Sequence, residues 1–143
     1  MSNVVTESLV HAESSFGFLL DSGFELTTRQ LLGDPAMFKS GWELRYESPT
    51  VSVRVLYADW QLEVRFECRD ALAEYFALDQ DAFDRRSGYH GNMFPPDGRL
   101  TGVIDRVSAD IRTNYGAILT GDRLAWERAV RILSALRVKR GLP

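Results

Sequence analysis

From residue 60 to residue 69 the chain alternates apolar and polar side chains without a break. Trp60, Leu62, Val64, Phe66 and Cys68 share one parity; Gln61, Glu63, Arg65, Glu67 and Arg69 share the other. A period of two residues is that of a half-buried strand. Val51, Val53, Val55 and Tyr57 form a second apolar set, and Trp42, Leu44 and Tyr46 a third. A two-residue loop at Ala58 and Asp59 pairs Tyr57 with Trp60, Val55 with Leu62 and Val53 with Val64. A four-residue loop over residues 47–50 sets Tyr46 against Val51 and Leu44 against Val53. With these turns every apolar residue lies on one side, as a buried face demands, and the strands form an antiparallel meander. The opposite side then carries Glu43, Arg54 and Glu63 in one row and Arg45, Ser52 and Arg65 in the next. Two readings of that face stand side by side: a salt-bridged, solvated exterior, or a polar docking surface for a protein partner.

Elsewhere the period changes. Leu9, Ala12, Phe16 and Leu19 recur at helical spacing, predicting a helix over residues 6–21, capped by Thr6 and ended by Gly23. A Thr-rich partial alternation predicts a strand over residues 24–32, closed by a turn at Gly33, Asp34 and Pro35. Near the end, Leu100, Ile104, Val107, Ile111 and Ile118 define one helix. Thr120 and Gly121 break the chain and Asp122 caps a second helix striped by Trp126, Ala129, Val130, Leu133 and Leu136. Residues 70–83 are open to two readings. Either Ala71, Leu72, Tyr75 and Phe76 are helical, or residues 75–78 are extended and Asp79 caps a helical turn through Phe83. Residues 84–97, DRRSGYHGNMFPPD, form an irregular segment.

The resulting fold class is α+β. An antiparallel meander sheet of about four strands has one face covered by an N-terminal helix and a C-terminal αα-hairpin. The 143 residues form a single domain spanning residues 1–143. Hydrophobic residues make up 45% and charged residues 26%, which excludes disorder and collagen-like repeats. No apolar run is long enough to span a membrane. The formal charge of -3 disfavours phosphate neutralisation, so no nucleic-acid partner is expected. A single cysteine, Cys68, allows no internal disulfide, and the first residues lack the basic and apolar regions of a secretory signal. The cytoplasm is the expected location.

The search for chemistry finds little. His11 and His90 are far apart in sequence and one cysteine gives no zinc spacing, so neither metal nor cofactor is expected. The aspartates of DQDAFD (residues 79–84) fail the EF-hand pattern: Asp84 stands where it needs glycine and His90 where it needs glutamate. No Walker A loop, dinucleotide fingerprint, nucleophile elbow or HExxH occurs. Cys68 alternates with Phe66 and Val64, which makes it a buried structural thiol. The candidate binding residues lie instead in the irregular segment: Arg85, Arg86, Tyr89, His90, Met93 and Phe94. Aromatics and arginine dominate interface hot spots. The competing reading is that Tyr89, Met93 and Phe94 fold back and plug the core.

Helix, meander, irregular segment and αα-hairpin, in that order, resemble small bacterial proteins, some of which look like immunity proteins of antibacterial toxin systems. The resemblance rests on FGFLLDSGF (residues 16–24), GWELRYESPTVSVRVLY (residues 41–57) and AILTGDRLAWERA (residues 117–129). It implies a non-enzymatic protein that binds and blocks a toxin by occlusion. The alternative is a small-molecule-binding domain or enzyme with a pocket between sheet and helices, lined by Trp42, Tyr57 and Trp60. A homodimer built by edge-strand pairing or helix packing is compatible with either.

Overall fold

The computed structural model of the chain describes residues 4–33, 41–78 and 93–139. It is an α+β fold, and among the described residues its sheet has five antiparallel strands in sequential order. They are β1 (Glu25–Leu32), β2 (Gly41–Glu47), β3 (Val51–Ala58), β4 (Gln61–Cys68) and β5 (Ala71–Glu74). The helical segments are α1 (Val4–Ser15), α2 (Phe18–Asp21), α3 (Tyr75–Leu78), α4 (Arg99–Asn114), α5 (Gly116–Leu119) and α6 (Arg123–Lys139).

Parity of the strands follows the hydrophobic pattern. Trp42, Leu44 and Tyr46 of β2, Val51, Val53, Val55 and Tyr57 of β3, and Leu62, Val64, Phe66 and Cys68 of β4 are all buried on one face. Every described helical segment puts buried side chains into the same cluster: Leu9 and Ala12 of α1, Leu19 of α2, Phe76 of α3, Ile104 and Ile111 of α4, Ile118 of α5, and Trp126 of α6. The core is thus the layer between the apolar face of the sheet and the helices. Cys68 lies within it as a free, buried thiol.

Both hairpin registers differ from the sequence expectation by two residues. Tyr57 pairs with Leu62, Val55 with Val64 and Val53 with Phe66. Tyr46 pairs with Val53 and Leu44 with Val55. A slip of two keeps every side chain on its own face, so the hydrophobic pattern cannot distinguish the two registers; the turns decide. Asp59 and Trp60 both have positive φ, 53° and 68°, as a two-residue type I′ hairpin requires. Trp60 therefore lies in the turn and is 52% exposed, instead of standing in the strand with its indole in the core. At the other hairpin the Ser48 hydroxyl accepts the Val51 amide at 3.0 Å, and the Ser48 amide donates to the Val51 carbonyl at 2.9 Å. These bonds move that loop one residue along the chain.

The helices also depart from expectation in places. The predicted helix over residues 6–21 starts already at Val4 and is split at Phe16 and Gly17: the Phe16 amide still reaches back four residues to Ala12, whereas the amides of Gly17, Leu19 and Leu20 reach back only three. Gly23, with φ of 91°, ends it as expected. The first helix of the C-terminal pair stops at Asn114, and Ile118 belongs to the separate turn α5. Gly121 takes a φ of 76°, and the Asp122 carboxylate caps α6 by accepting the Ala125 amide at 3.0 Å. Over the described residues 70–78 the helical reading holds in part: Ala71–Glu74 is a strand, but Tyr75 and Phe76 lie in a helical turn, Tyr75–Leu78, where the other reading has an extended piece. Asp79, Phe83 and the DQDAFD aspartates lie outside the described residues, as do Asp34 and Pro35.

Candidate interaction surface

The register fixes what the open face of the sheet presents. Arg45 pairs with Arg54 across β2 and β3, and Arg54 with Arg65 across β3 and β4. One row thus reads Thr28, Arg45, Arg54, Arg65, Glu74 from β1 to β5. On one side of it lies Gln30, Glu43, Leu56, Glu63; on the other Glu25, Glu47, Ser52, Glu67, Leu72. The mixed rows expected from sequence are replaced by a run of three arginines, ended by Glu74, between two rows whose charged members are all acidic. Like charges directly opposite one another destabilise a sheet, so a row of arginines carries a cost in the isolated chain.

Diagonal contacts offset part of that cost. Glu43, only 7% exposed, is ion-paired with Arg54 and accepts a 3.1 Å hydrogen bond from Gln30. Arg65 meets Glu63 two positions away on its own strand at 3.4 Å. Arg45 has no ion pair among the described residues, and its side chain is half-buried. Glu63 and Arg65 are likewise half-buried on this face. Glu74 closes the row: its Oε2 accepts the Ala77 amide at 2.8 Å, while Oε1 is buried without a hydrogen-bond partner among the described residues. Burial pushes its carboxyl above the ordinary 4.5, against the downward pull of the Ala77, Phe76 and Val64 amides.

Only two of the candidate site residues lie among those described. Met93 is 46% exposed and bridges to Gln61 at the start of β4. Phe94 is 2% exposed, and its ring centroid is 5.9 Å from that of Phe76. It fills the core, as the plug reading has it, and cannot face a partner. The Phe94 amide donates to the Trp60 carbonyl at 2.7 Å, and its carbonyl accepts the Tyr57 hydroxyl at 2.7 Å. These bonds set Met93 beside the turn that carries the exposed Trp60. Arg85, Arg86, Tyr89 and His90 lie outside the described residues.

Trp60 is the surface residue that sequence reasoning missed. Its apolar character extended the strand alternation by one position, although the Asp59 before it favours a turn. The space where a ligand pocket was expected holds packed side chains. Trp42 and Tyr57 are 0% and 1% exposed, with ring centroids 6.0 Å apart. Two open grooves flank α6 instead. One, of about 870 Å³, lies between α6 and the β4–β5 turn; the other, of about 530 Å³, between α6 and Leu78, Asp110 and Tyr115. A polar cluster joins α1 to α4: the Asp105 Oδ1 accepts from His11 Nε2 at 2.7 Å and from Ser15 Oγ at 3.0 Å. Serine and histidine both bind the carboxylate, so the arrangement is a clip between helices in which the imidazole bonds to Asp105 and not to the Ser15 hydroxyl.

Comparison of the chain with family models, with curated proteins and with solved structures gives no match. No described helix is long and apolar enough to cross a membrane.

Proposed function

We propose that the chain is a non-enzymatic, cytoplasmic protein-binding module whose docking face is the open side of the sheet. Its action is of the immunity type: it occludes a toxin by covering its surface. The observation that carries this reading is the row Arg45, Arg54, Arg65 on a face to which no described helix contributes a buried side chain. A row that costs stability in the free chain is relieved when carboxylates from a partner reach it, since guanidinium groups bind carboxylates in paired, planar fashion. Exposed Trp60 and Met93, at the end of the same hairpin, supply apolar anchors.

The test is affinity capture from native lysate with the wild-type chain and with Arg45→Glu and Trp60→Ser, followed by affinity measurement on the recovered protein. A stoichiometric partner that loses about tenfold or more in affinity for Arg45→Glu, a difference of roughly 1.4 kcal/mol, supports the reading. Arg45→Glu should also raise stability by about 0.2–1 kcal/mol, because it replaces a like-charge pair with an opposite one. No stoichiometric partner under several conditions, or one indifferent to both substitutions, defeats it.

A further inference from the structure

We propose that the groove between β5 and α6 binds an extended segment of a partner protein in which carboxylate side chains alternate with apolar ones. This site meets the open sheet face at Leu72 but uses none of the arginines Arg45, Arg54 and Arg65, and does not depend on them.

Three features of the groove select that occupant. The first is backbone. β5 is the last strand of the sheet; it pairs with β4 on one side, and no described strand pairs with its outer edge. An unpaired strand edge is a template for an added strand. The second is the apolar lining. Ala71 and Leu72 of β5 and Trp126 and Val130 of α6 line the groove, with Leu72 49% and Val130 40% exposed. Side chains of that kind accept the apolar positions of an alternating segment. The third is charge. Arg69, Arg123 and Arg131 stand around the groove, against Asp70 and Glu127. Arg123 is tied to Glu127 at 3.1 Å, whereas Arg69 and Arg131 have no ion pair among the described residues. In a chain of formal charge -3 this groove is locally positive. The edge selects an extended backbone, the lining alternate apolar side chains, and the arginines carboxylates between them.

The experiment uses the full chain and two end-capped, fluorescently labelled peptides, one alternating glutamate with leucine and the other lysine with leucine. Polarisation reads affinity, and amide chemical shifts read location. The acidic peptide should bind, shifting amides of residues 71–74 and 123–131. The double substitution Arg69→Glu, Arg131→Glu should weaken it about tenfold or more. Val130→Glu, at an exposed position, should weaken it as well, and its fold can be checked independently. Arg45→Glu on the open face should leave this binding unchanged, which separates the two surfaces. Binding of neither peptide, equal binding of the basic one, shifts confined to the open face, or self-association through the groove seen by light scattering each overturns the proposal.

Discussion

Ser8 shows how a single polar residue is placed in an apolar core. It is fully buried in α1, and its hydroxyl donates to the Val5 carbonyl at 2.7 Å while accepting the Trp42 indole N–H at 2.8 Å. The bond docks α1 on β2 and removes the one polar atom that would otherwise make a tryptophan at this position costly. Ser8→Ala leaves the indole donor buried and unpaired, which costs about 1–3 kcal/mol. Urea unfolding of the variant should show that loss. Ser108→Ala, whose hydroxyl donates to the Asp105 carbonyl in its own helix, should lose less. An equal loss in both would mean that the inter-element bond carries no special weight. Tyr46 is the contrasting case: its hydroxyl is buried without a partner among the described residues. Burial, with Glu13 nearby, pushes its pKa up to about 12. At this scale the sequence was read correctly wherever burial alone decides, as at Trp42 and Tyr57. It failed at Trp60, where a backbone conformation overrides side-chain character and puts an indole in water.

Elements are set by hydrophobic period, but their alignment is set by turns. The parity of β2, β3 and β4 was legible because burying one face leaves a single phase for each strand. Register was not, because a shift of two preserves that phase. The difference matters for function: the expected register mixes charges within each row, and the actual one collects Arg45, Arg54 and Arg65 into one stripe. Gly41 shows how close the strands lie, since a Cβ there would stand 1.9 Å from the Tyr57 carbonyl oxygen. The four-residue strand β5 gave too short an alternation to be seen in sequence. Its last residue, Glu74, caps the helical turn α3. Because its carboxyl is held above 4.5 in the folded chain, the folded form keeps the proton that the unfolded form releases. Stability from this group is therefore fully present below the unfolded value and falls as pH rises through the folded one. Urea midpoints measured upward from pH 4.5 should fall more for the wild type than for Glu74→Gln, so that the gap between them changes in favour of the variant. A gap independent of pH would show that Glu74 ionises as readily in the fold as in water.

The whole molecule joins a tightly packed centre to a loosely attached final helix. β3 has a paired strand on both sides and buries Val51, Val53, Val55 and Tyr57. α4 buries six residues along its length, from Leu100 to Ile111. α6, although slightly longer than α4, buries Trp126 and Ala129 among its described side chains, and exposes Leu124, Val130 and Ile132. The two members of the C-terminal helix pair therefore differ in what holds them: α4 is part of the core and α6 rests on it along one narrow ridge, with a groove on each flank. Local opening free energy follows buried apolar contact, so α6 should open without the sheet. In native-state hydrogen exchange, amides of α6 are expected to exchange about a hundredfold or more faster than those of β3, with a smaller denaturant dependence. Because α6 forms one wall of the groove beside β5, an acidic, apolar peptide bound there should slow α6 exchange while leaving β3 unchanged. Equal exchange in α6 and β3 would mean that the helix unfolds only with the whole chain, and its wall of the groove would then be as rigid as the sheet.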